Sequence, residues 1–190
     1  MELYEKRIER REIYNGRILK LVNDTVSLPN GNTAGREVVY HPGGVGVLAV
    51  TDDNELLLVR QYRYPFEKTL LEIPAGKLDK SDSKPIDCGI RELKEETGAV
   101  AKNVTPLGKI FASPGYSNEI IYLFKATGLE FFDQHLDKDE FLNVIKMPFD
   151  TALEKVYAGE ICDAKTVAAI LHYALETREN AEKRYHFSIA

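Results

Sequence analysis

Residues 91–99 have the sequence Arg-Glu-Leu-Lys-Glu-Glu-Thr-Gly-Ala, and this stretch decides which fold the chain is expected to adopt. If it is helical, Glu92, Glu95 and Glu96 stand at positions i, i+3 and i+4 and share one face. Three adjacent carboxylates repel one another, and a divalent cation relieves that repulsion because hard cations take oxygen ligands. A solvated acidic face is the simpler interpretation of an isolated run of this kind. The surrounding sequence has to decide between the two.

The surrounding sequence resembles a longer motif, the Nudix box. In words, that box is Gly, five residues, Glu, seven residues, Arg-Glu, an aliphatic, any residue, Glu-Glu, any residue, Gly and an aliphatic. Residues 91–99 fill its second half, with Ala99 as a small final residue, and Gly76 resembles the opening glycine. Gly76 lies fifteen residues before Arg91, one more than the pattern allows, and the nearest carboxylate to the first Glu is Asp82. This departure concerns the loop and leaves the helical glutamates unaffected.

Motifs outside the box resemble the ADP-ribose pyrophosphatase branch of the Nudix hydrolase superfamily. They occur in order along nearly the whole chain, from about Arg36 to the final helix: Arg36-Glu37-Val38-Val39, Arg60-Gln61-Tyr62-Arg63, Glu72-Ile73-Pro74-Ala75-Gly76-Lys77-Leu78, Ser113-Pro114-Gly115 with Glu119, and Leu136-Asp137-Lys138-Asp139-Glu140-Phe141. The resemblance implies the Nudix fold, an α/β/α sandwich with a mixed sheet.

The apolar pattern along the chain also predicts strands mixed with a few helices. The predicted strands are Thr25–Leu28, Arg36–Tyr40, Val45–Val50, Glu55–Tyr62, Leu70–Ile73, Leu107–Ala112, Glu119–Ala126 and Phe141–Met147. The predicted helices run from Pro85 to a stop at Gly98, over Thr151–Tyr157, and over Asp163–Glu179 with Asp163 as its cap. Because strands and helices do not alternate regularly, we expect an α+β fold. The predicted division is an N-terminal β-rich extension, residues 1–41, and a Nudix domain, residues 42–190.

The resemblance implies a metal site built from the box. In this reading Glu92 and Glu96 are the principal metal carboxylates and also catalytic residues, and the backbone carbonyl of Ala75 is a further ligand. Glu95 is either an additional metal ligand or a residue that contacts the metal ligands without binding the metal itself. The implied cofactor is Mg²⁺, with Mn²⁺ as a substitute.

Three other positions of the box have structural roles by the same resemblance. Arg91 orients the carboxylates through salt bridges. Gly76 allows the chain to approach the metal closely, although a simple turn glycine would look the same in the sequence. Gly98 ends the helix.

A general base is implied outside the box, in an acidic loop from Gln134 to Phe141. Glu140 fits the glutamate that precedes an apolar strand in this branch. Two residues earlier, where relatives often carry another acid, this chain has Lys138. A solvated acidic turn is the alternative interpretation.

Substrate contacts are implied at three positions. Arg36 and Arg63 resemble residues that hold the nucleotide and its phosphates, and a guanidinium suits phosphate because it donates two parallel hydrogen bonds. Glu119 resembles a residue that contacts the terminal ribose. Surface arginines on strands are the competing interpretation of both arginines.

Composition limits the classes of partner. The formal net charge of −5 over 190 residues argues against nucleic acid as the main partner. Cys88 and Cys162 form no CxxC pair, and apolar runs are too short to span a bilayer, so we expect a cytoplasmic protein without membrane association. By resemblance, the N-terminal strands are expected to form a homodimer.

The reaction expected from these features is hydrolysis of ADP-ribose to AMP and ribose 5-phosphate. The first alternative is another nucleoside-diphosphate sugar such as GDP-mannose, because the same carboxylates serve any diphosphate. The alternative from another class is a non-catalytic nucleotide-sugar sensor, which would not need the intact glutamate cluster. An RNA-cap hydrolase is disfavoured by the acidic charge.

Overall fold

The computed structural model describes residues 2–79, 82–136, 138 and 140–187, with side chains up to residue 178. The chain divides into two compact units. The first consists of Met1–Gly43 with Phe111–Ile120, and the second consists of Gly44–Ile110 with Ile121–Ala190.

The first unit contains a three-stranded antiparallel sheet in the order β1 (Lys6–Asn15), β2 (Lys20–Ser27) and β3 (Thr33–Tyr40). Val22 and Val26 are buried on one face of β2, because side chains an even number of residues apart share a face. The turn between β2 and β3 contains Gly31, which takes a φ of +84° there. Arg10 joins β1 to β2 by donating two hydrogen bonds, 2.7 and 2.6 Å long, to the buried carboxylate of Asp24.

The second unit is organised around a seven-stranded mixed sheet. Its strands are β4 (Gly44–Val50), β5 (Glu55–Arg63), β6 (Lys68–Glu72), β7 (Ala75–Lys77), β8 (Ala99–Phe111), β9 (Ile120–Phe131) and β10 (Leu142–Pro148). The order is β10-β5-β4-β9-β8, with β6 paired to β5 and β7 paired to β4. Strands β4 and β9 are parallel, whereas β5 pairs antiparallel with β4, β6 and β10. The mixed sheet is therefore confirmed.

Helices cover both faces of this sheet: α1 (Pro85–Thr97) on one, α2 (Phe149–Tyr157) and α3 (Ala164–Phe187) on the other. Successive side chains of a strand point to opposite faces, so β4 contributes to two cores. Val45, Val47 and Ala49 pack in the core that contains Cys88 and Leu93 of α1. Leu48 and Val50 pack in the core that contains Phe149, Ala152, Ala169 and Ile170 of α2 and α3. The α/β/α sandwich is confirmed.

Some element boundaries differ from the predicted ones. Strand β8 begins at Ala99, eight residues before the predicted start at Leu107, because its exposed polar residues weaken the apolar pattern although the backbone is paired. Helix α3 begins at Ala164, after the predicted cap Asp163, and continues to Phe187. Strands β1 and β7 were not predicted, since β1 has no buried residue and β7 is only three residues long. In the described part of the chain, no helix has the length and apolarity to cross a bilayer.

Candidate active site

Helix α1 carries the two glutamates at the centre of the site. The helix begins with Pro85 in its first turn, and the backbone N–H of Lys84 donates to the carboxylate of Asp87 at 3.1 Å. Four residues apart, Glu92 and Glu96 lie on one face and are only 9% and 2% exposed. These are low values for glutamates, which are rarely buried without a partner or a ligand.

The start of β7 approaches both glutamates from the sheet. The backbone N–H of Ala75 donates to Oε2 of Glu96 at 2.9 Å. At Gly76 a Cβ atom would lie 1.9 Å from Cδ of Glu92 and 2.0 Å from its Oε1. Only glycine therefore allows this strand to pass beside the carboxylate of Glu92, which is a more specific role than that of a turn glycine.

Burial and like charges disfavour the ionised forms of both glutamates. Burial raises the pKa of Glu96 to about 8; the Ala75 N–H acts against this shift, whereas Glu92 and Glu140 add to it. Burial also raises the pKa of Glu92, with Glu95 and Glu140 adding to the shift and Arg91 opposing it. Neighbouring cations of the protein thus leave part of this negative charge uncompensated.

Arg91 lies at the edge of the site and pairs with three carboxylates. Its guanidinium lies 2.7 Å from Glu95, 3.0 Å from Glu92 and 3.3 Å from Asp82. The Arg91 hydrogen bond and the backbone N–H of Asp79 lower the pKa of Asp82, whose side chain is only 7% exposed. Asp82, the nearest counterpart of the missing first glutamate, is therefore a partner of Arg91 in this structure.

The residues present fit a divalent cation. Glu92 and Glu96 offer buried carboxylate oxygens next to the backbone of Ala75, a donor set that suits a hard cation. Glu95 is engaged by Arg91. Within the described ranges, no three carboxylate, imidazole or thiol groups stand close enough together to hold an ion by side chains alone. A cation here would thus need backbone oxygen or water as well, which is usual for Mg²⁺.

Glu140 belongs to the same unit and lies near the two glutamates. Its charge is one of the smaller contributions that raise the pKa values of Glu92 and Glu96, so it acts electrostatically on both carboxylates. Lys138 is exposed. The two other acids of the loop, Asp137 and Asp139, lie outside the described residues.

Arg63 is engaged by a buried glutamate that sequence reasoning did not single out. Its guanidinium donates two hydrogen bonds to Glu72, at 2.7 and 2.6 Å, and Lys165 donates a third at 2.5 Å. Glu72 is 1% exposed. Burial acts to raise the pKa of Glu72, but Arg63 and Lys165 together outweigh it and the pKa is lowered.

The same group of residues ties the start of α3 to the end of β6. Asp163 pairs with Lys165 at 3.0 Å and accepts hydrogen bonds from the backbone and hydroxyl of Thr166, which confirms its predicted capping role. The Thr166 hydroxyl in turn accepts a hydrogen bond of 2.8 Å from the backbone N–H of Ile73. The segment that follows Ile73 approaches Glu92 and Glu96. The hydrogen bond to Ile73 therefore holds the start of that segment in place.

The other two predicted substrate contacts belong to the first unit. Arg36 donates two hydrogen bonds to Glu5, at 2.9 and 2.6 Å. Glu119 lies 3.3 Å from Nδ1 of His41, an ion pair only when that histidine is protonated. The structure therefore brings Arg63, Ala75, Gly76, Arg91, Glu92, Glu95, Glu96, Gly98 and Glu140 into one unit and places Arg36 and Glu119 in the other.

Comparisons with known proteins agree with this geometry. A family model described as "NUDIX domain" matches residues 40–169, and one described as "Nucleoside diphosphate sugar hydrolase N-terminal domain" matches residues 5–39. An ADP-ribose pyrophosphatase of Bacillus subtilis (strain 168) is 42% identical over 95% of this chain and 98% of its own length. A methanol dehydrogenase activator of Bacillus methanolicus is 44% identical over 90% and 94%.

Two further similarities concern substrate range and fold. A GDP-mannose pyrophosphatase of Cronobacter sakazakii is 35% identical over 74% of this chain and 78% of its own length. The crystal structure of an ADP compounds hydrolase superposes with a TM-score of 0.83 over 95% of this chain and 98% of that chain, at 20% sequence identity, which supports the fold.

An α/β/α sandwich with two buried glutamates on a helix, facing the glycine of β7, together with the matching family model, defines a protein of the Nudix hydrolase class. The chain belongs to the Nudix family and is a Nudix pyrophosphohydrolase, as the resemblance of residues 91–99 implied.

Proposed function

We propose that this protein hydrolyses the pyrophosphate bond of ADP-ribose to AMP and ribose 5-phosphate, with Mg²⁺ as the cation and Mn²⁺ as a substitute. The observation that carries the proposal is the pair of buried glutamates, Glu92 and Glu96, whose charge the protein leaves partly uncompensated beside Gly76. The name of the relative from Bacillus subtilis and that of the N-terminal family model support the substrate class.

In this mechanism each residue has a separate task. Glu92, Glu96 and the carbonyl of Ala75 would hold the cation, which would neutralise phosphate charge and lower the pKa of a water molecule. Glu140 accepts a proton from the attacking water. The water oxygen bonds to one phosphorus, and the bridging P–O bond breaks with its electron pair leaving on the other phosphate. Arg91 keeps Glu92 and Glu95 oriented through its ion pairs.

Arg63 is proposed as a contact for the diphosphate, and Arg36 and Glu119 as contacts for the nucleotide and the terminal ribose. The environment of Glu72 supports the first of these roles. If Arg63 turned from Glu72 to a phosphate, Lys165 would remain 2.5 Å from Glu72, so no buried carboxylate would be left without a cation. In the first unit Arg36 pairs with Glu5, and Glu119 lies next to His41. A bound substrate would have to displace these partners or bind beside them.

The rival substrate is GDP-mannose or another nucleoside-diphosphate sugar, since the proposed chemistry acts on the diphosphate only. The similarity to a GDP-mannose pyrophosphatase favours keeping this alternative. A non-catalytic sensor is less well supported, because a protein that only binds has no need of two glutamates buried beside the glycine of β7.

A direct assay of the two sugars tests the proposal. Purified protein is incubated with ADP-ribose or GDP-mannose, with Mg²⁺, with Mn²⁺, or with a chelator, and the products are separated. We expect AMP and ribose 5-phosphate, a higher kcat/KM for ADP-ribose, and no turnover with the chelator. Faster cleavage of GDP-mannose would assign the rival substrate, and turnover in chelator would remove the metal from the mechanism.

The proposed extension, residues 1–41, is also proposed to form a homodimer. Strand β1 is an edge strand with ten residues, none of them buried, and its exposed apolar side chains include Ile8, Ile13 and Tyr14. An edge of this length with apolar side chains is a template for pairing with a second chain. In sedimentation experiments we expect a dimer that Ile8→Asp dissociates, whereas Ile18→Asp, equally exposed but outside the strand, does not. A wild-type monomer would contradict this.

A cytoplasmic location is proposed on the state of the thiols. Cys88 and Cys162 are both free, the first buried and the second exposed. Burial raises the pKa of Cys88 to about 12, so it remains an unreactive thiol. Unpaired cysteines of this kind are typical of a reducing compartment.

A further inference from the structure

The C-terminal end of α1 is completed by a segment from far along the chain. The last carbonyls of a helix have no partner within the helix. Here the carbonyl of Lys94 accepts from Gly98 N–H at 2.8 Å, and that of Glu95 accepts from His135 N–H at 3.0 Å. The carbonyl of Glu96 accepts from the side-chain amide of Gln134, 38 residues later in the sequence. Two of these partners therefore come from the start of the acidic loop.

Gly98 makes room for the same segment. It has a φ of +71°, and its carbonyl accepts a hydrogen bond of 2.8 Å from the N–H of Phe132. A Cβ atom at this position would lie 2.1 Å from the carbonyl oxygen of Phe132. Gly98 thus does more than end the helix, because any side chain there would displace the chain that leaves β9.

These contacts place the start of the acidic loop directly on the helix that carries the metal glutamates. The anchored carbonyls are those of Glu95 and Glu96, and Glu96 also presents its buried carboxylate to the site. From Gln134 the chain has only six residues to reach Glu140, whose charge acts on Glu92 and Glu96. An anchor six residues away limits the positions that Glu140 can reach, because six residues span at most about 20 Å.

We propose that Gln134 is a positioning residue: its side-chain amide, together with the backbone N–H of His135, anchors the acidic loop to the end of α1 and so holds Glu140 beside Glu92 and Glu96. This inference rests on the proposed function, in which Glu140 accepts a proton. Gln134 itself touches neither substrate nor cation in this scheme. Its donor group is the essential feature, because the oxygen of Glu96 that it binds can only accept.

The test uses two variants that keep the length of the side chain and remove the donor. Gln134→Met offers no hydrogen bond, and Gln134→Glu places a carboxylate against the carbonyl of Glu96. Asp133→Asn, at an exposed neighbouring position, is the matched control. For each variant, amide hydrogen exchange is measured at Phe132, at His135 and in β4, and kcat and KM are measured with ADP-ribose.

For Gln134→Met we expect exchange at His135 to become about tenfold faster, a typical effect of losing one hydrogen bond. We expect kcat to fall by about 10-fold or more, as for residues that orient catalytic groups, while KM changes by less than about threefold. Gln134→Glu should lower kcat at least as far, and Asp133→Asn should match the wild type in both measurements.

Each other outcome overturns part of the inference. Unchanged exchange at Phe132 and His135 would show that Gln134 is not the anchor. Faster exchange with an unchanged kcat would show that the anchor does not position Glu140. Faster exchange in β4 as well would indicate general destabilisation in place of positioning. If the wild-type protein cleaved no diphosphate sugar, the proposed function would fail, while the exchange data would still decide whether Gln134 is the anchor.

Discussion

Glu96→Gln is expected to lower kcat on a nucleoside-diphosphate sugar by on the order of 10²–10³-fold or more, the range found when one group that stabilises transition-state charge is removed. The amide has the shape of the carboxylate and its oxygen can still accept from Ala75 N–H, so the local contact is retained. The missing negative charge weakens the hold on the cation. The check is kcat over a range of Mg²⁺ concentrations, combined with a direct measurement of Mg²⁺ affinity.

The fold of the Glu96→Gln protein should be intact. Burial favours the neutral form of Glu96 in the metal-free protein, and glutamine imitates that form. We therefore expect a metal-free Tm equal to or above that of the wild type. Glu154→Gln, an exposed glutamate on α2, is the matched control and should change neither Tm nor kcat. Wild-type turnover by Glu96→Gln would remove this residue from the metal site, whereas a large loss of Tm would make its role structural.

Glu140→Gln is expected to reduce kcat by about 10²–10⁴-fold, the usual contribution of a general base. KM should stay within a few-fold of the wild-type value, because the proposed task of Glu140 is to accept a proton and not to bind the sugar. Metal affinity should change little, and any change should be a decrease, because one negative charge that acts on the site is lost. Steady-state kinetics with ADP-ribose and saturating Mg²⁺ measure the split between kcat and KM.

The control for this variant is the residue just before the acidic loop. Asp133→Asn removes a charge from an exposed position seven residues earlier and should retain wild-type kcat. If Glu140→Gln were as active as the wild type, the base would have to be another group. If KM rose strongly while kcat remained unchanged, Glu140 would be a substrate contact.

Local sequence patterns predicted only part of the three-stranded sheet in the first unit. Parts of β2 and β3 were predicted, as Thr25–Leu28 and Arg36–Tyr40, because they contain β-branched and apolar residues. Strand β1 was missed because its ten residues are all exposed and so carry no buried face, and its side-chain links to β2 include the pair formed by Arg10 and Asp24. Charged pairs of that kind leave no periodic trace in a sequence.

The sequence by itself determined helix α1, the shared face of Glu92 and Glu96, the glycines at its turns and the sandwich of strands and helices. Those features follow from periodicity and from backbone requirements over a few residues, which a sequence records directly. Only the tertiary structure decided which groups meet across long separations. It placed Lys165 on Glu72, 93 residues away, and Gln134 on the carbonyl of Glu96. Such partners are selected by packing and by the cost of leaving buried polar groups unpaired, and neither depends on spacing along the chain.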